Sequence, residues 1–257
     1  MNSYTDRFAS YYDLIYSSKN YIKECDLIKK YGQYDGRLLD IGAGTLNHSI
    51  ILSKYFSKIT ATDFSSEMLN RGKSKLKSSG VENVTTHYGD LDNVIEIGEF
   101  DTVISMFNVV NHIINLDELI LFFNKVSSNL KNKGYFIFDC WNGVNSIVYP
   151  PTPSTEKTFI QDAHTVVVKT ETDTDLINLF CNMKTTVVVY DDIEQLETFS
   201  YNLLHKLWPS SLLKEMLEII GFDVKIIPYF DDDKNYNLED RRITFICKKL
   251  NDATNIL

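Results

Sequence analysis

Two acidic residues bracket a glycine-rich segment. Asp40 opens Asp40-Ile41-Gly42-Ala43-Gly44-Thr45, and Asp63 follows Gly44 by 19 residues. Leu38 to Ile41 reads as a buried strand and Asn47 to Phe56 as a helix, so the glycines fall at a strand-to-helix turn. Glycines there let backbone N–H groups approach a ligand closely at the positive end of a helix. The dinucleotide fingerprint needs a further glycine where Asn47 stands, which demotes nicotinamide and flavin cofactors. A carboxylate at Asp63, ending a second strand, can accept both hydrogen bonds of a ribose diol; its competing use is as a helix N-cap beside Ser65 and Ser66. Tyr88-Gly89-Asp90-Leu91, after a third strand, offers an acceptor where an adenine amino group needs one.

The elements that position these residues alternate in type. Strands are expected at Leu38–Ile41, Ile59–Thr62, Val84–His87, Phe100–Ser105 and Tyr135–Asp139, with helices at Asn47–Phe56, Ser66–Lys77 and Leu116–Leu130 between them. That alternation is the signature of βαβ units on a parallel sheet, whose ligands bind at the carboxyl ends of the strands. Ser105-Met106-Phe107 lies at that edge. After Gly143 the pattern changes. Pro150-Pro151-Thr152-Pro153 breaks the chain, and three β-rich runs follow, roughly Phe159–Thr172, Leu176–Tyr190 and Leu196–Trp208. They predict an antiparallel three-stranded insertion over residues 150–208, placed over the acceptor side. A helix at Ser211–Ile220 and strands at Phe222–Ile227 and Ile243–Lys248 complete the fold. The expected class is α/β: a doubly wound, mostly parallel, seven-stranded Rossmann-like sheet formed by 37–149 and 209–250, with residues 1–36 as a helical lid.

Composition narrows the function. With 257 residues, 44% hydrophobic and 24% charged, the chain has the make-up of a globular protein of one large domain carrying an insertion. A net charge of −9 and the lack of a basic stripe argue against nucleic acid as substrate. The apolar runs are strand-sized and the first residues lack a secretory layout, so a cytoplasmic protein without membrane contact is expected. Cys25, Cys140, Cys181 and Cys247 have no paired spacing and read as buried reduced thiols. Asp231-Asp232-Asp233 reads as an exposed acidic turn, and no metal site is expected.

The Asp-x-Gly-x-Gly loop, Asp63-Phe64, Gly89-Asp90 and Phe100-Asp101-Thr102-Val103-Ile104-Ser105, in this order, resemble the class I S-adenosylmethionine-dependent methyltransferases. The resemblance implies S-adenosyl-L-methionine as cofactor. It assigns Asp40, Gly42, Ala43 and Gly44 to the methionine side, Asp63 to the ribose, Phe64 and Met68 to the neighbourhood of the ring, and Asp90 and Leu91 to the adenine, with Met106 at the strand edge. Leu46, where the family often has glycine, is expected to narrow the cofactor cleft.

A narrower resemblance is to small-molecule methyltransferases of nucleotide-linked amino sugars. Tyr11-Tyr12-Asp13-Leu14-Ile15-Tyr16 is similar to the tyrosine-rich helix that covers the cofactor there, with Tyr12 facing it. Met106-Phe107-Asn108-Val109-Val110-Asn111-His112 is similar to the segment ending in a histidine near the acceptor, and Asp139-Cys140-Trp141 to an acidic or polar residue followed by Trp.

Transfer from a sulfonium is an in-line displacement that needs alignment and the exclusion of water, whereas a base is needed only if the acceptor carries a proton. His112, with an ordinary imidazole pKa near ~6.5, or Tyr16 could take that proton from an amine. An anionic oxygen would call instead for cations, for which Arg241, Arg242, Lys157 and Lys206 are candidates. N-methylation of an amino sugar on a phosphate-bearing or nucleotide-linked small molecule is the favoured expectation. O-methylation of a phosphoramidate or sugar group in surface-polysaccharide synthesis, and a non-catalytic S-adenosylmethionine-binding subunit, stand beside it. A homodimer is compatible with the sequence.

Overall fold

A computed structural model describes residues 6–89, 91, 100–161 and 164–251. In chain order the elements are α1 (Asp6–Ile15), α2 (Tyr21–Tyr31), β1 (Arg37–Ile41), α3 (Asn47–Leu52), β2 (Lys58–Asp63), α4 (Ser66–Ser79), β3 (Val84–Tyr88), β4 (Phe100–Ser105), α5 (Val109–His112), α6 (Leu116–Asn129) and β5 (Leu130–Trp141). There follow α7 (Gly143–Val148), β6 (Ser154–Gln161), β7 (His164–Asp175), β8 (Phe180–Asp191), β9 (Glu194–Lys206), α8 (Ser210–Ile220), β10 (Phe222–Pro228) and β11 (Arg242–Lys249).

The seven-stranded sheet has the order β10-β11-β5-β4-β1-β2-β3, and only β11 runs antiparallel to its neighbours. Its central strands read as apolar runs because both faces are covered. On one face Leu39, Val103, Phe136, Phe138 and Phe245 pack under α6 and α8 through Leu119, Phe123, Leu213 and Leu217. On the other, Leu38, Ile59 and Ile104 meet Ile28 of α2 with Leu52 and Phe56 around α3. Helix α4 begins where the Ser65 hydroxyl accepts from the Met68 amide at 3.2 Å, so Ser65, and not Asp63, is its N-cap.

The insertion departs from expectation. It has four antiparallel strands, β6-β7-β8-β9, instead of three. The run expected as a single strand from Phe159 folds back between Gln161 and His164, which are paired across the turn. Neither glycine nor proline separates β6 from β7 in the sequence, so periodicity alone ran the two strands together. One face of this sheet, through Val166, Val168, Val187, Val189, Tyr201 and Leu203, is covered by Phe8, Ala9 and Ile15 of α1. Helix α1 is thereby held between the insertion and α4. No helix among the described residues is long and apolar enough to cross a membrane.

Candidate active site

The glycine turn and Asp63 form one unit. Gly42 and Gly44 adopt φ values of +70° and +56°, which side-chain-bearing residues rarely take. A methyl group on Gly42 would meet Val109 Cγ2 at 2.6 Å, whereas one on Gly44 would approach only the Tyr12 hydroxyl, at 3.9 Å, so open space lies over the second glycine. The Gly44 amide donates to Asp63 Oδ2 at 2.7 Å and the Ser65 amide to Oδ1 at 2.8 Å. Those two bonds orient the carboxylate and leave lone pairs on both oxygens for a diol. Burial raises the Asp63 pKa against the pull of the Ser65, Gly44 and Phe64 amides.

Asp63 pairs in register with Tyr88, and the rings of Phe64 and Tyr88 are exposed on either side of it. An oriented carboxylate, two uncovered aromatic faces and an open glycine suit a nucleoside and the chain attached to it. Asp40 contributes differently: its Oδ2 accepts from the Ser49 hydroxyl at 2.6 Å, its Oδ1 is buried without a partner among the described residues, and burial raises its pKa. Asp90 lies outside the described residues.

One expectation about this side changes, and two of its residues are placed in packed clusters. Leu46 does not narrow the cleft: it is fully buried with Ala61, Leu69 and Leu76, against Gly72. Met68 is packed in the cluster beneath α1, and Leu91 in the main core. The cleft itself is lined by Tyr12, Tyr21, Gly42, Ala43, Met106 and Phe107, together with Thr45, Asn47 and His48. The lid is latched there: Asp13 of α1 accepts from Thr45, Asn47 and Lys75 at 2.6, 2.9 and 2.9 Å.

Beyond the cleft, a second group gathers around Phe107. This residue and Asn108 have φ of +71° and +62°, a turn that costs backbone strain in residues other than glycine. The Phe107 amide donates to the Asp139 carboxylate, which pins the turn; Asp139 Oδ2 has no partner among the described residues, and burial raises this acid's pKa. Tyr16 lies edge-on to Phe107 at 4.7 Å between centroids and against Tyr12 at 4.8 Å. Burial pushes the Tyr16 phenol up to about 12, with the Arg242 charge opposing.

Arg242 turns inward over Tyr229 and Phe107, at 5.3 and 6.0 Å. Arg241 is exposed immediately before β11. Lys157 is exposed on β6, and Lys206 is engaged elsewhere, donating to the Asn178 carbonyl at 2.6 Å. Of the four proposed cations, only Arg242 joins the group around Phe107.

His112 ends α5 and bonds to the Leu204 backbone. Its expected titration near neutrality is not what its surroundings give: burial lowers its pKa to about 4, the Leu204 bond offsetting only part of this. The imidazole is therefore neutral at pH 7. Asn111 fastens this helix, donating to the Lys206 carbonyl at 2.8 Å and accepting from the Trp141 amide at 2.9 Å.

Below the cleft lies a charge network that the sequence did not signal. Glu24 of α2 accepts from Lys19 and from the Tyr229 hydroxyl through Oε1, and its Oε2 lies 2.6 Å from His48 Nε2. Lys19 also donates to the Tyr229 hydroxyl at 2.9 Å and sits 4.6 Å from the Phe107 ring centre. Burial works to raise the Glu24 pKa, but His48 and Lys19 outweigh it and hold it at about 2.

Residues 38–134 match the family model described as a methyltransferase domain. That span holds the glycine turn and Asp63, whose shape suits a nucleoside-bearing methyl donor. The chain is 24% identical over 246 residues to a protein of Bacillus subtilis (strain 168) named putative methyltransferase YqeM, covering 94% of this chain and 96% of that one. In fold it is similar to an S-adenosylmethionine-dependent methyltransferase from Clostridium acetobutylicum ATCC 824, with a TM-score of 0.80, 23% identity and coverage of 95% and 98%. A second fold relative is the sugar N-methyltransferase KedS8 from Streptoalloteichus sp ATCC 53650, with a TM-score of 0.76, 17% identity and 93% of each chain covered.

Proposed function

We propose that this methyltransferase N-methylates an amino group on a small sugar, carried as a nucleotide-linked or phosphate-bearing molecule. The observation that carries the reading is neutral His112 at the end of α5, the helix that follows the Phe107 turn against which Tyr16 packs. The fold similarity to a protein described as a sugar N-methyltransferase supports it.

When bound, S-adenosylmethionine supplies an activated methyl group whose thioether leaves without acid. Asp63 and the Gly44 turn would hold its ribose, and Tyr12, Met106 and Phe107, which line the adjoining cleft, would flank its methionine part. His112, neutral but weakened as a base by burial, can accept a hydrogen bond from the acceptor nitrogen and relay the proton that an ammonium must lose before attack, whereas the phenol of Tyr16 stays protonated and orients the acceptor by hydrogen bonding. The covering helix and insertion exclude water from the transfer.

One observation favours a second reading. Arg242 has no carboxylate within ion-pair distance among the described residues, which would suit an anionic oxygen acceptor and hence O-methylation. Incubation with labelled S-adenosylmethionine and paired acceptors, a nucleotide-linked amino sugar and its phosphorylated hydroxy counterpart, separates the two. Label in the amine product supports N-methylation. Label in the hydroxy product alone moves the assignment to oxygen, and label in neither refutes both acceptor classes.

A further inference from the structure

The insertion brings a second histidine to the acceptor side. Along β9 the buried residues alternate, Tyr201, Leu203 and His205 facing inward. The first two pack under α1, and His205, next in line, passes beyond that cluster to the edge of the main sheet. There its ring lies face to face with Trp141 at 5.1 Å and 1° between planes, and 4.5 Å from the ring of His112. Strand pairing sets Trp141 opposite Arg242. Three residues expected from the sequence on the acceptor side therefore surround one that was not.

His205 is 5% exposed, and its Nδ1 is buried with no hydrogen-bond partner among the described residues. Leaving a buried ring nitrogen unsatisfied is costly, and packing does not require it, since a phenyl ring would stack on Trp141 equally well. Burial, with the charges of His112 and Arg242 adding to it, lowers its pKa to about 3, so the ring is neutral at pH 7. A neutral imidazole matches a hydroxyl, which can donate to a bare ring nitrogen or accept from a protonated one.

We infer that His205 is a specificity-determining residue, its ring nitrogen holding a hydroxyl of the acceptor beside His112 and Trp141. This inference rests on the sugar reading above for the identity of the hydroxyl, but not for the existence of the contact. It also gives the insertion a chemical role, because β9 delivers a polar group that the Rossmann-like core does not contain. A site built to bond a hydroxyl discriminates strongly against the analogue lacking it, because its own polar atom is then left unpaired.

The test uses the full chain with saturating S-adenosylmethionine, a nucleotide-linked amino sugar and its singly deoxygenated versions. The unaltered protein should prefer the fully hydroxylated sugar over one deoxy version by at least about 10-fold in kcat/KM. His205→Phe should abolish that preference, and His205→Gln, which keeps donor and acceptor, should restore part of it. Thermal unfolding of the same variants without acceptor gives an answer that needs no substrate. Removing an unsatisfied nitrogen while keeping the ring stack should leave Tm unchanged or raise it. A fall in Tm of more than about 5 °C in both variants means that His205 is structural and overturns the inference, as does a deoxy preference surviving in His205→Phe. If no amino sugar is methylated, the sugar reading fails by itself, and the Tm comparison still decides the role of His205.

Discussion

Replacing Glu24 with Ala should destabilise the protein by ~3–5 kcal/mol, the cost of leaving a buried cation without its counter-charge. Glu24 is 2% exposed and binds Lys19, His48 and Tyr229 at once, so truncation leaves Lys19, itself 8% exposed in its side chain, facing aromatic rings without its carboxylate. The pH dependence has a definite sign. Because the folded pKa is depressed to about 2 from an ordinary 4.5, the stabilisation is fully present above pH 4.5 and is lost as the pH falls toward 2. Denaturant titrations from pH 7 to pH 2 should therefore show this component in the unaltered chain and not in Glu24→Ala. A destabilisation below about 1 kcal/mol at pH 7 would show that the network has little net worth. Since Lys19 lies against Phe107 and His48 lines the cleft, the same substitution should also weaken cofactor affinity.

The second large effect is on turnover. His112→Asn should lower kcat on the order of 10²-fold for an amine acceptor, the usual contribution of a positioned base. A proton acceptor must be unprotonated, so activity supported by His112 should persist down to about pH 4 and fall below it, well under the range of an ordinary imidazole. In the Asn variant that acidic limb should be displaced. His205 lies 4.5 Å away and is also neutral, so the two rings take up a first proton as a pair, and the limb reports the pair rather than one ring. With an anionic acceptor the loss should be much smaller, as only positioning is disturbed. Full activity with an unchanged profile would remove His112 from proton transfer.

What could be read from the sequence was what is local. The strand, the two glycines and Asp63 belong to one βαβ unit, so their spacing already encodes their meeting, and the Asp63–Gly44 bond follows from it. Arg242 opens β11 while Arg241 stands exposed just before it, although the sequence offered both. Glu24 and His205 could not be found this way. Glu24 sits on a polar-looking helix, and its burial depends on His48 and Tyr229, far along the chain. His205 is one histidine in an amphipathic strand, placed beside Trp141 by the long-range docking of the insertion on the main sheet. The base strength of His112 escaped for the same reason: residue type gives an unperturbed value, and burial under β9 replaces it. The break between β6 and β7 was missed because the sequence has neither glycine nor proline between Gln161 and His164.

The central claim is that the glycine turn and Asp63 hold S-adenosylmethionine. Calorimetric titration of the cofactor into the unaltered chain and into Asp63→Ala tests it most directly, with circular dichroism to show that both are folded. Loss of two hydrogen bonds to a buried charged acceptor should weaken binding at least ~10-fold, because each ten-fold step in Kd corresponds to only ~1.4 kcal/mol. Equal affinity in a folded Asp63→Ala protein would contradict the claim and place the cofactor elsewhere.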